Sequence, residues 1–295
     1  MRHDRNVARL AEDVVSDPIA VDWESAALPD AWPDQLDLRY PAHLLTYVRR
    51  WFGARRKVEI PPELPGADRL PAYLRQEFHH LPNGVYSKRH ADAYGRWFDR
   101  FMLGSTVQAR TRLAAELADC RAVLDAGCGI GSLAGAMRAA GIPEVWGLEP
   151  SAYLLQLAAA RHRGVRFAQG IVESTGFPSA RFDGVGACFL FHELPPRVAD
   201  ASLDEIRRIL VPGGRLVIAE PSPVQFRVRD WRGLVRRSGR RGLYFFLLAS
   251  WMHEPFVDGW HRRDVGAWLV DHGFRLVADE VGMPIRFLTA VRAGY

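Results

Sequence analysis

From residue 121 onward the chain alternates short apolar runs with longer stretches whose apolar residues recur every three or four positions. Ala122-Val123-Leu124 is too short for a helix and reads as a buried strand. Leu133, Ala134, Met137 and Ala139 then mark a helix that stops at Gly141-Ile142-Pro143. The same pattern predicts strands over 144–148, 165–168, 182–189 and 215–220, with helices over 151–161 and 199–210 between them. A helix over 264–272 and strands over 274–280 and 285–292 complete the series. Strands alternating with helices imply an α/β fold, a parallel sheet with helices on both faces. Seven strands result, the last pair antiparallel.

Upstream, residues 89–103 and 107–118 read as helices, the first with Tyr94, Trp97, Phe98 and Phe101 on one side. Residues 1–75 differ in composition, being rich in proline and arginine, and are expected to form a mostly helical extension. Its helices are placed over 2–15 and 41–52, the second with Leu44, Leu45, Val48, Trp51 and Phe52 along one face. Residues 76–295 form the main domain, interrupted over 222–260 by an insertion. That insertion is basic at first, with Arg227, Arg229, Arg232, Arg236, Arg237, Arg240 and Arg241, and apolar from Leu243 to Met252.

Composition changes this picture little. An apolar content of 48% and a charged content of 25% are those of an ordinary globular chain of 295 residues. The net charge of +5 is mildly basic, and only Lys57 and Lys88 among the 39 basic residues are lysines. The cluster Arg49, Arg50, Arg55, Arg56 and Lys57 reads as a solvated face, with an anionic substrate or membrane surface as the alternative. Cys120, Cys128 and Cys188 are scattered, with no CxxC pair, so neither a disulfide framework nor a zinc site is expected. No apolar leader is visible, and the run 243–252 is about half a membrane span. A cytoplasmic protein with reduced thiols is the expectation.

Between the first strand and its helix lies Asp125-Ala-Gly-Cys-Gly-Ile-Gly-Ser132, with glycines at 127, 129 and 131. Such a turn bends sharply, lets a ligand approach the main chain and presents the unpaired N–H groups of a helix start. A dinucleotide turn has the spacing Gly-x-Gly-x-x-Gly. Here the spacing is Gly-x-Gly-x-Gly, and Asp125 would repel a pyrophosphate but suits an ammonium group. Glu149 ends the second strand, where a carboxylate can accept hydrogen bonds from both ribose hydroxyls or cap the helix that follows.

The glycine turn resembles the first motif of the class I S-adenosylmethionine-dependent methyltransferases. The Val211-Pro-Gly-Gly214 turn before the fifth strand is similar to theirs as well. The resemblance spans about residues 85–293 and is best over 121–221. It implies a Rossmann-like seven-stranded methyltransferase sheet and S-adenosylmethionine as cofactor, held by Asp125, Gly127, Gly129, Gly131 and Glu149. In ubiquinone- and menaquinone-type relatives an aspartate after the third strand faces the adenine amino group. Ile171 stands in that place here, so Ile171 packing and the Val172 backbone are expected to hold the adenine, while the family's glutamate is retained as Glu173. Aromatic helices ahead of the first strand often fold over the cofactor in this family, which adds Tyr86 and Tyr94 to the candidate set.

After the fourth strand the chain reads Phe191-His192-Glu193, with no Asn/Asp-Pro-Pro-Tyr motif of amino-group methylases of DNA and proteins. By the resemblance this place borders the transferred methyl. His192 could then act as general base, with Glu193 to orient its ring and His79, His80 and His253 as competing bases. The expected reaction is O-methylation of a small or medium-sized molecule, with carbon or nitrogen acceptors left open. The insertion over 222–260 would be a lid on the acceptor, a contact with a second copy of the chain, or a membrane-surface contact. An NAD-dependent oxidoreductase and a non-catalytic module for cofactor or nucleic acid are the rival readings. Asp125 and the glycine spacing oppose the first, and no RNA-binding signature accompanies the arginines of the second.

Overall fold

The computed structural model describes residues 21–54, 56–77, 81–225, 231–252 and 255–294. The expected helix over 2–15, the candidate bases His79, His80 and His253, and Arg55, Arg227 and Arg229 lie outside the described residues.

Seven strands form one sheet in the order β3-β2-β1-β4-β5-β7-β6. They are β1 (Ala122–Ala126), β2 (Glu144–Glu149), β3 (Arg166–Gln169), β4 (Phe182–Cys188), β5 (Leu210–Pro221), β6 (Phe274–Val281) and β7 (Ile285–Arg292). The first five are mutually parallel, whereas β7 runs antiparallel between β5 and β6. Strand order reverses beside β1, between β2 on one side and β4 on the other, so a crevice opens at the carboxyl ends of these three strands. β5 begins earlier than expected. The Pro-Gly-Gly turn sits within it as an irregularity between the Phe182–Leu210 and Gly184–Arg215 pairings.

The helices are α1 (Pro41–Phe52), α2 (Lys88–Phe101), α3 (Ser105–Glu116), α4 (Ser132–Ala139), α5 (Ala152–Arg161), α6 (Pro196–Ile209), α7 (Trp231–Trp251), α8 (Val257–Arg262) and α9 (Val265–Asp271). Residues 123–126 are buried, because alternate side chains of a central strand meet a helical layer on either face. Val123 belongs to the layer with Leu113 of α3, Leu117 just after it, and Leu133 and Met137 of α4. Leu124 belongs to the opposite layer, with Leu203 and Ile206 of α6 and Leu269 of α9. α4 can lie this close because β4 offers Gly186, where an added Cβ would stand 2.5 Å from the Met137 methyl.

The described part of the N-terminal segment is a strap of turns with a single α-helix. Prolines at 61, 62, 65 and 71 remove backbone donors and restrict the residues before them, which favours turns over helix. The strap is tied to the β3–α5 edge of the sheet. Trp23 donates its indole N–H to the Phe167 carbonyl (3.1 Å), Tyr153 its hydroxyl to the Pro29 carbonyl (2.9 Å), and Gln169 its amide to the Pro65 carbonyl (2.7 Å). Trp23, Leu28, Val58 and Leu64 pack with Tyr153 and Leu155 of α5 in a third apolar cluster. The apolar face expected on α1 exists but is not buried, and Phe52 is 82% exposed. Within the insertion α7 bends at Gly239, whose φ of 61° breaks the helical run. No described helix is long and apolar enough to cross a membrane.

Gly186→Val tests the β4–α4 contact. The branched side chain has to displace Met137 and Leu133, and a loss of about 1–3 kcal/mol is expected from guanidinium unfolding. An unchanged midpoint would show that α4 tolerates a greater separation from the sheet.

Candidate functional site

The crevice holds a cavity of about 1450 Å³ counting its open mouth, and the glycine turn forms its floor. β1 ends at Ala126, and Gly127, Gly129 and Gly131 follow with φ of 69°, 54° and 75°. Gly131 is required twice over, since its φ is left-handed and a Cβ would strike the Phe167 ring at 2.8 Å. Gly129 is different. No protein atom lies within 4 Å of an added Cβ, so beyond its φ it leaves room for a ligand against the main chain.

Two buried carboxylates hold this turn. Asp125 Oδ2 accepts from the Ala134 N–H of α4 at 2.9 Å. Glu149 Oε2 accepts from the Gly129 N–H at 3.0 Å, and Oε1 accepts from the Ser151 N–H ahead of α5 at 2.9 Å. Of the two roles weighed for Glu149, bracing the start of α5 is the one these contacts show, and the residue also lines the cavity. Burial pushes both carboxyls up to about 7, against the pull of those N–H donors and, at Asp125, of Arg110.

At one end of the cavity stand Ile171, Val172 and Glu173, beside Tyr73 of the strap. Tyr73 donates its hydroxyl to Glu173 Oε1 at 2.7 Å. Glu173 Oε2 is buried without a hydrogen-bond partner, and burial raises this carboxyl above its usual range. An orphaned acceptor and the open space over Gly129 both fit a ligand that brings an amino group and lies against the turn. Tyr86 and Tyr94 also line the cavity.

Sequence reasoning passed over Tyr73 and Arg110. Arg110, on α3, lines the cavity and pairs with Asp99 at 2.5 Å. Nothing in the local pattern distinguishes it from the other arginines of the chain. Cys128 and Cys188 line the same cavity, and Cys120, Cys128 and Cys188 are all unpaired thiols.

Beyond β4 the backbone turns sharply. Phe189 has φ of 60°, a left-handed conformation strained for an aromatic residue. A short 3-10 turn, Phe191–Glu193, follows. His192 is 1% exposed, and its Nδ1 lies 2.5 Å from Oε2 of Glu220, which is 0% exposed. Since a carboxylate only accepts, Nδ1 donates this hydrogen bond. Glu220 Oε1 also accepts from the Leu190 and Phe191 N–H groups at 3.0 and 2.7 Å. The carboxylate bonded to Nδ1 is Glu220 at the end of β5, which sequence reasoning did not find, while the expected Glu193 stands 3.9 Å from Nε2. A neighbouring strand can aim an acid near its end directly at this ring.

His192 does not line the large cavity. It lines a smaller one next to it, with Glu193 on the border of both. Tyr94 stacks on Phe98 (4.9 Å between centroids), Phe98 meets Phe189 edge-on (5.9 Å), and Phe189 meets His192 edge-on (5.7 Å). This chain of rings spans from one cavity to the other.

Residues 123–214 match a protein family described as Methyltransferase domain. Over 168 residues the chain is 31% identical to a demethylmenaquinone methyltransferase of Thermotoga maritima, which covers 57% of this chain and 63% of that protein. The match thus spans less than two thirds of that relative's length. It is 27% identical over 191 residues to the EEF1A lysine methyltransferase 4 of Mus musculus, covering 58% of this chain and 69% of that protein. Among solved structures, the magnesium protoporphyrin IX methyltransferase of Synechocystis PCC 6803 with bound SAH is 20% identical, with a TM-score of 0.48 over 70% of this chain and 93% of that one.

The two raised carboxyls set a pH dependence of stability. In the folded chain they keep their protons between the ordinary carboxylate range and about pH 7, where the unfolded chain has released them. The folded state therefore binds more protons in that window, and stability falls as pH rises from about 4 to 7. Asp125→Asn is expected to flatten this decline and raise the melting temperature at pH 8. A lower melting temperature at pH 8 would mean that the ionised carboxylate stabilises the turn.

Proposed function

We propose that this chain, which carries a class I S-adenosylmethionine-dependent methyltransferase domain, methylates a hydroxyl group of a small molecule. The observation that carries the reading is the cavity over the glycine turn, with Asp125 and Glu149 at its floor and the unpartnered Glu173 oxygen at one end. These groups match the ammonium, ribose and adenine amino groups of one ligand. Asp125 would take the ammonium, Glu149 the ribose hydroxyls, and Ile171 and Val172 the adenine face. Glu173 Oε2 supplies the acceptor that Ile171 lacks. Arg110 offers a cation for the ligand's carboxylate.

When bound, S-adenosylmethionine supplies an electrophilic methyl on its sulfonium, so the protein's task is to place the acceptor and exclude water. His192, with Nδ1 held by Glu220, takes the proton of the acceptor hydroxyl at Nε2 as the oxygen gains its methyl. The similarity to a demethylmenaquinone methyltransferase supports a second reading, in which the same deprotonation activates a ring carbon. The product separates the two, since an ether methyl and a ring-carbon methyl differ in proton chemical shift.

Gly129→Val places a branched side chain where the ligand would approach. Calorimetry is expected to show at least about hundredfold weaker S-adenosylhomocysteine binding in a protein that still unfolds cooperatively. Normal affinity in that variant would remove the turn from the cofactor site. His192→Ala is expected to slow single-turnover methyl transfer by about 10²–10⁴-fold at saturating cofactor, with little change in S-adenosylhomocysteine affinity. A full rate with an unchanged pH profile would place the base elsewhere.

A further inference from the structure

We propose that α1 docks the protein on an anionic lipid bilayer, lying in the membrane plane with its outer face among the headgroups. The proposal does not depend on the methyl-transfer reading. α1 has two faces of different kinds. His43, Tyr47, Arg50 and Trp51 recur at helical spacing and make its contacts with the rest of the protein. His43 Nδ1 accepts from the Asp37 N–H at 3.1 Å, and the Tyr47 hydroxyl bonds His90 Nε2 at 2.7 Å. Arg50 pairs with Glu59 at 2.8 Å, and its guanidinium lies 4.4 Å from the centre of the Trp32 ring. These contacts fix how the helix is turned. Leu44, Leu45, Val48 and Phe52 are thereby left on the opposite face, exposed by 39–82%, and Tyr40 just before the helix extends the stripe. A helix on a globular domain normally turns its apolar stripe to the core. Here the inward face is held by polar contacts instead, and a contiguous apolar stripe left in water marks a surface that meets something else.

The charges around the stripe choose its occupant. α1 contains no acidic residue. Arg49 stands one turn beyond Leu45, and Arg56 and Lys57 follow the helix end. All three are exposed, and among the described residues none has a carboxylate partner. An apolar stripe rimmed by unpaired cations complements a surface that is anionic outside and apolar just beneath, which is that of a bilayer containing anionic lipid. With 12 residues α1 is too short to span a bilayer, so it lies along the interface. A second copy of the chain fits less well. A two-fold contact through this face brings two cationic rims together, with no carboxylate on either helix to separate them.

The test is flotation of the full chain with vesicles of phosphatidylcholine alone, or of phosphatidylcholine and phosphatidylglycerol in equal parts. The protein is expected to float with the mixed vesicles and not with the neutral ones. Raising salt from about 0.1 M to 1 M is expected to weaken the binding, because the screening length falls from about 10 Å to about 3 Å. Leu44→Ser combined with Phe52→Ser is expected to abolish it. Arg49→Gln, Arg56→Gln and Lys57→Gln together are expected to weaken it about a hundredfold, at about fivefold per charge removed. Both variants are expected to keep the wild-type melting temperature and elution volume, since the substituted side chains are exposed. The proposal is overturned if the wild-type protein ignores the mixed vesicles, floats equally with the neutral ones, or is matched in binding by either variant. A lower melting temperature for the serine variant would show that the chain itself covers the stripe. A dimer that this variant dissociates would show that a second copy does. Either result overturns the proposal.

Discussion

The glycine turn after β1 has its shape because two carboxylates are buried against its N–H groups. Asp125 holds the Ala134 N–H, and Glu149 reaches across from β2 to hold that of Gly129. A left-handed turn with no such acceptors would leave its donors unsatisfied at the bottom of a cavity. The acids carry their own cost. Burial holds both near neutral pH instead of in the ordinary carboxylate range, so the ligand-free turn is destabilised where the carboxylates ionise. In the function proposed above, a cationic ligand group would relieve that cost at Asp125, and hydroxyl donors would relieve it at Glu149. The groups that fix the turn are therefore the groups that make it receptive.

The rest of the molecule encloses this edge from two directions. The strap, tied to β3 and α5, delivers Tyr73 to Glu173 at one end of the large cavity. The insertion delivers Phe245 and Leu248 to the smaller one. Among the described residues neither segment adds a strand to the sheet. Each instead supplies walls to space that the parallel strands leave open at their carboxyl ends.

What was legible in the sequence was local. The strand, the three glycines and α4 lie within 18 residues, and each of their signals is read from neighbours in the chain. The five parallel strands were legible because parallel strands buried on both faces are apolar runs that helical periodicity interrupts. The partners of the site were not, because they are set by tertiary pairing. Glu220 lies 28 residues from His192, and Tyr73 lies 100 residues from Glu173, with nothing in the intervening pattern to join them. α1 shows the reverse failure. Its apolar periodicity is real, yet the described chain places nothing over that face, because periodicity reports a helix and not what covers it.

The turn after β4 joins the two cavities and carries its own strain. Phe189 takes a left-handed conformation that an aromatic residue adopts only where its surroundings enforce it. The enforcement is visible: the Phe189 N–H bonds the Ala219 carbonyl, and the next two N–H groups converge on Glu220. In that conformation the Phe189 ring stands edge-on between Phe98 and His192, and the chain then bends so that Leu190 borders the glycine turn while His192 faces the other way. Were Phe189 to relax into ordinary extended backbone, the side chains beyond it would change faces, since successive residues of a strand alternate. One strained residue, held by one buried acid, thus turns Leu190 toward the glycine turn and His192 toward the smaller cavity.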